Sequence, residues 1–99
     1  MATQALSHDE IQAELARLNG GSDGWRVIEG KLNRTYQFSD FVEAFGFMTR
    51  AALTAERMNH HPEWFNVYRT VRVELTTHDA GGISALDFAL AAAMDRLAG

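Results

Sequence analysis

Three of the four histidines in this 99-residue chain, His60, His61 and His78, fall in its second half, near carboxylates and beside the single proline, Pro62. Imidazole changes charge near neutral pH, so such a group can give or take a proton in a reaction. Residues 64–68 and 70–77 read as two strands joined by a turn near Arg69. That pairing predicts His60 or His61 opposite His78, with Cβ atoms roughly 5 Å apart. A register slip of one residue would turn His78 to the other face. Glu56 lies in the last turn of a helical stretch, where the partial negative charge of the terminus disfavours another anion. A carboxylate there makes better sense as the partner of His60 or His61. Blander roles stand beside these: the paired histidines as a helix cap or loop, Glu56 as an ion pair with Arg57, and His78 as a solvated strand end. Three imidazoles and a carboxylate also match the donor types of a metal site. Adjacent histidines rarely point at one ion, however, and no His-Glu-x-x-His occurs. No glycine-rich phosphate loop or nucleophile motif is present. From the residues alone, a histidine acid/base site and a metal-dependent hydrolase both remain.

The elements that must position these groups follow from periodicity. Ser7 with Glu10 forms a capping-box pattern ahead of Ile11, Leu15 and Leu18, which predicts a first amphipathic helix. Residues 25–29 and 32–38 flank Gly30-Lys31 as a hairpin. Ser39-Asp40 then offers N-caps to a central helix whose stripe runs Phe41, Phe45, Met48, Ala52 and Ala55 and which ends near Met58. The second strand pair follows Pro62, and Gly81-Gly82 breaks the chain. Ser84 and Asp87 form another capping-box pair before a final helix that is apolar around most of its circumference. Such a helix needs cover on more than one side, which suggests a subunit interface. The order α-β-β-α-β-β-α predicts a single α+β domain over residues 1–99. A four-stranded antiparallel sheet would carry the helices on one face, leaving a polar face opposite.

Composition narrows the function classes. The net charge of −4 has the wrong sign for neutralising nucleic-acid phosphates, so no direct nucleic-acid binding is expected. No run of 18 apolar residues and no basic-then-apolar leader occurs, so neither membrane insertion nor secretion is expected. The absence of cysteine suits a cytoplasmic location and removes thiolate chemistry.

The spacing Glu56, His60-His61-Pro62, Tyr68, His78, Asp87 resembles the signature of the pterin-4a-carbinolamine dehydratases. The runs 45–50, 60–68 and 77–79 with Gly81-Gly82 are similar to that family as well, and the likeness is weakest before Trp25. Arg69 departs from it, standing where relatives often carry Asn. The resemblance implies loss of water from 4a-hydroxytetrahydrobiopterin to give quinonoid dihydropterin, which is then reduced back to the cofactor of aromatic amino acid hydroxylases. No metal and no cofactor is implied. It further implies three catalytic histidines, with His60 and His78 in acid/base work on the leaving hydroxyl and N5 and His61 mainly holding the pterin with some electrostatic role, and Glu56 orienting or charge-tuning a histidine. Asn59, Pro62, Thr77, Asp79 and Asp87 are the remaining substrate-site positions. Members commonly form dimers or tetramers, and some animal members also serve as dimerisation cofactors of a transcription factor. A non-catalytic interaction module is therefore the alternative from a different class.

Overall fold

The computed structural model describes residues 3–99. Ser7 caps α1 (His8–Asn19): its hydroxyl accepts from the Glu10 N–H while the Glu10 side chain reaches back to the Ser7 N–H. The predicted capping box is thus formed, and α1 ends on Gly20 in the left-handed region. Strands β1 (Arg26–Ile28) and β2 (Lys31–Gln37) form the first hairpin. Its turn is Glu29-Gly30, one residue earlier than expected, with φ of 51° and 78°. Two positive φ values twist the connection to match the twist of the strands, and glycine supplies the second without a Cβ clash.

Asp40 caps α2 (Phe41–Met58), and the chain returns through β3 (Glu63–Val67) and β4 (Thr70–Leu75) before α3 (Ala85–Ala98). The sheet is antiparallel throughout, in the order β1-β2-β4-β3, so β4 lies between the two hairpins' outer strands. Leu32 and Tyr36 of β2 and Val71, Val73 and Leu75 of β4 point to one face and are buried against the helices. Thr35, Gln37 and Arg72 point to the other face and are exposed. The α+β architecture with helices on one sheet face is therefore the observed one.

Three expectations are corrected. In α2 the buried stripe is Ala44, Phe47, Ala51 and Ala55, whereas Phe41 and Phe45 are about half exposed. Both stripes have helical spacing; the small alanines let the backbone approach the sheet, and the phenylalanines are left outside. Much of the apolar girth of α3 is covered within the chain, because both α1 and α2 pack on it, while Ala85 and Ala89 stay exposed. Finally, β3 pairs with β4 as Trp64 with Val73 and Val67 with Thr70, and the ladder ends at Glu63 opposite Glu74. His60 and His61 are therefore not cross-strand partners of His78. The connecting turn, Tyr68-Arg69, holds Tyr68 at a φ of 51° and is braced by the Asn66 amide, which donates to the Tyr68 and Thr70 carbonyls.

Candidate active site

Asn59 ends α2 in the left-handed conformation, a role asparagine fills more readily than most residues. The next amide, that of His60, donates back to the Ala55 carbonyl at 3.0 Å. This reversal sends the His60 side chain inward, where the residue is 8% exposed. Its Nε2 lies 2.6 Å from Oδ1 of Asp87, which is completely buried at the start of α3. The other carboxylate oxygen, Oδ2, accepts from the Ser84 N–H at 2.9 Å and from the Thr77 hydroxyl at 2.7 Å. With its proton committed to Asp87, the Thr77 oxygen accepts from the Ser84 hydroxyl at 2.6 Å. A buried anion is tolerable only when its lone pairs are used in this way. The capping box of α3 and the support of His60 are thus one arrangement.

His61 turns outward. Its Nε2 meets Glu56 Oε1 at 2.8 Å, so Glu56 serves His61 and leaves His60 to Asp87. Both partners are well exposed. His78 begins a short 3-10 turn (His78–Ala80) that closes on Gly81 at a φ of 79°, just after Thr77 bridges to Gly82. Its Nε2 is 3.2 Å from Glu63 Oε2, and Lys31 Nζ grips the other oxygen of Glu63 at 2.7 Å. Lys31 also reaches Glu74, 3.7 Å away, which eases two carboxylates facing each other across β3 and β4. The hydrogen bond from the Lys31 ammonium holds the Glu63 carboxyl below the usual carboxylate range. The same bond raises the Lys31 ammonium above its ordinary value.

Two short links join the three histidines: His60 through Asp87 to Thr77, the neighbour of His78, and His78 through Glu63 back to the strand that follows His61 and Pro62. Each of these three histidines uses Nε2 toward a carboxylate. An ionised carboxylate only accepts, so Nε2 carries the proton in each pair and Nδ1 is the open nitrogen. Asn59 and Asp79 are exposed beside this locus and Pro62 is partly buried, while the Thr77 hydroxyl points inward at Asp87. Among the described residues, no three His, Asp or Glu side chains are grouped as ligands for a metal ion.

Sequence reasoning missed Glu63 and Lys31 as supporting groups, and paired Ser84 with Asp87 without the link to His60. Glu63 had a signal, since it opens the strand directly after the paired histidines and Pro62. Also missed was Asp95, which accepts from Trp25 Nε1 at 3.0 Å, from Arg34 at 3.1 Å and from the Tyr36 hydroxyl. Burial and the neighbouring Asp95 push the Tyr36 phenol well above its ordinary value of 10.0. Asp95 lies eight residues beyond Asp87 on α3, roughly 12 Å along the axis. Its cluster ties β2 to α3 away from the histidines.

Comparison with known proteins gives a concordant picture. The family model for pterin 4 alpha carbinolamine dehydratase matches residues 4–97. A protein of Solibacter usitatus, provisionally named as a pterin-4-alpha-carbinolamine dehydratase, is 59% identical over 96 residues, covering 97% of each chain. A protein of Rhizobium etli with the same provisional name is 52% identical, covering 99% of this chain and 95% of its own. A crystal structure described as a transcriptional coactivator/pterin dehydratase from Brucella melitensis superposes with a TM-score of 0.89 at 43% identity. The superposition covers 97% of this chain and all of that one.

Proposed function

Because the chain belongs to the pterin 4 alpha carbinolamine dehydratase family, we propose that this hydro-lyase dehydrates 4a-hydroxytetrahydrobiopterin by histidine acid/base catalysis. In that reaction the C4a–O bond breaks, the hydroxyl leaves as water after accepting a proton, and N5 loses its hydrogen as the C4a=N5 bond forms. One acid and one base suffice, and each positioned proton donor or acceptor contributes on the order of 10² to 10⁴-fold. His60 and His78 take these two roles through Nδ1, the acid as an imidazolium with a proton on both ring nitrogens and the base as a neutral ring with Nδ1 free to accept, and His61 holds the pterin. Glu56 orients His61. Thr77 and Asp87 act from behind His60, while Asn59, Pro62 and Asp79 border the pterin.

The observation that carries this reading is the buried His60–Asp87 pair, 2.6 Å apart, with Asp87 further held by Thr77 and Ser84. Such a shell fixes the ring's orientation and tautomer in advance, as a positioned proton-transfer group requires. The product, a quinonoid dihydropterin, would return by reduction to the cofactor of aromatic amino acid hydroxylases in the cytoplasm. The chain works as a homo-oligomer, a dimer or tetramer, which the exposed Phe41, Val42, Phe45 and Leu53 on the outer side of α2 support.

The test is the rate of 4a-hydroxytetrahydropterin loss, followed by ultraviolet absorbance with chelator present throughout. Wild-type dehydration well above the spontaneous rate, falling at least about tenfold in His60→Ala and in His78→Ala, is the expected result. A wild-type rate equal to the spontaneous one overturns the catalytic reading in favour of an interaction module.

A further inference from the structure

Glu63 holds a place that neither the fold nor the acid/base assignment accounts for. It opens β3 directly opposite Glu74, a like-charge pairing that destabilises a sheet unless something intervenes. Lys31 on β2 supplies that intervention, 2.7 Å from Glu63 Oε1 and 3.7 Å from Glu74. The ammonium fixes one carboxylate oxygen and leaves Oε2 directed at His78 Nε2, 3.2 Å away. His78 itself sits on a tight turn with its side chain about four-fifths exposed. Among the described residues Glu63 is the only hydrogen-bond partner of that imidazole.

We propose that Glu63, clamped by Lys31, is a positioning residue for His78 that holds Nε2 as the N–H and presents Nδ1 to the substrate. The inference rests on the reading of His78 as an acid/base group. The geometry parallels that of His60 and Asp87, with one difference in strength. The Asp87 pair is buried and built into a helix start, whereas the Glu63 pair is open to water. An exposed, screened contact of this kind is worth a small factor rather than orders of magnitude.

The experiment compares Glu63→Leu, which has no acceptor, with Glu63→Gln, which keeps a carbonyl acceptor of the same reach, each in the wild-type and the His78→Ala backgrounds. Expected is a fall in kcat of roughly two- to fivefold in Glu63→Leu with KM unchanged, recovery of most of it in Glu63→Gln, and no further fall when His78 is already alanine. The substitution lies on an edge strand with the side chain on the solvent face, so the urea midpoint serves as the check that the fold is intact. The same fall in the His78→Ala background, or a rise in KM alone, places Glu63 on another task and overturns the proposal. No change in Glu63→Leu while His78→Ala is slow overturns the positioning role alone. A fast His78→Ala enzyme overturns the reading of His78 beneath it.

Discussion

Replacing Asp87 by Asn changes one oxygen to an amide and leaves the shape of the site intact. The wild-type carboxylate accepts from His60 on one oxygen and from Ser84 and Thr77 on the other, all without exposure to water. The amide can meet these partners in two ways. With its NH₂ toward Ser84 and Thr77, it sets donors against buried donors, which costs about 1–3 kcal/mol for each one left unpaired. With its oxygen there instead, the helix cap survives and the NH₂ points at His60 Nε2. That nitrogen must then accept, so the imidazole proton moves to Nδ1 and the open nitrogen becomes a donor. The second arrangement wins, at the cost of one charge-assisted hydrogen bond, about 1–3 kcal/mol of stability. A domain of this size has on the order of 5–15 kcal/mol to lose, so the variant folds. Its chemistry suffers more: as a base His60 would present a proton in place of a lone pair, and as an acid it would lose the carboxylate that stabilises its imidazolium; the equivalent exchange behind the histidine of a serine protease triad costs about 10⁴. We expect Asp87→Asn to lower the dehydration rate at least about 10²-fold, with a modest shift in urea midpoint. Both are read on one preparation, by ultraviolet absorbance and by circular dichroism. A folded Asp87→Asn protein that keeps a rate within threefold of wild type refutes the argument, since His60 would then be indifferent to where its proton sits.

The other predictions concern parts of the molecule that act separately. Asp95→Ala leaves the Trp25 and Tyr36 donors unpaired while both residues are nearly buried, so it should cost about 3–5 kcal/mol in urea unfolding and spare the rate per folded molecule. An equal loss of rate would tie that cluster to the site. The Tyr36 phenol is raised in the fold above its ordinary value of 10.0, by burial first and then by Asp95. Its contribution to stability is therefore complete below about pH 10 and declines as pH rises beyond that. The urea midpoint should drop between pH 10 and 11 in the wild type and drop less in Tyr36→Phe; equal slopes would count against the assignment. Phe45→Glu and Leu53→Glu, on the exposed side of α2, should shift the native mass measured by light scattering toward the monomer, and an unchanged mass would place the oligomer contact elsewhere.

How much of this was legible in the sequence depended on whether a signal was local. The capping boxes at Ser7 and Ser84 and the helix order rest on spacings of two to four residues and were formed as read, and both hairpins exist, though each turns one residue away from where the sequence placed it. The buried stripe of α2 was misread because two helical stripes overlap there, and only the sheet's shape decides between large Phe41 and Phe45 and small Ala44 and Ala51. The partners of the histidines depended on an end of a ladder that no residue announces. Tyr68-Arg69 carries no glycine, and the Asn66 amide that steadies the turn lies outside it. Once the ladder stops at Glu63 and Glu74, the histidines cannot face one another as strand neighbours, and each takes a carboxylate from the chain segment it meets.

Asp87 shows why a structural and a chemical reading of one residue need not compete. As the third residue of α3 it is required to accept from the Ser84 N–H, and that duty uses one oxygen and removes it from water. Burial then makes the second oxygen expensive to leave unpaired, so whatever donor approaches it is held strongly. The reversal at Asn59 delivers His60 to that oxygen. The cap therefore fixes the carboxylate, the carboxylate fixes the imidazole, and a helix start becomes the rigid support of the group proposed to transfer the proton. Glu56 and Glu63 lack this anchoring, being exposed and tied to a helix end and to a lysine. Substitutions at the three carboxylates should accordingly rank with burial, Asp87 far ahead of Glu56 and Glu63, and a kinetic comparison of the three alanine variants tests that order directly.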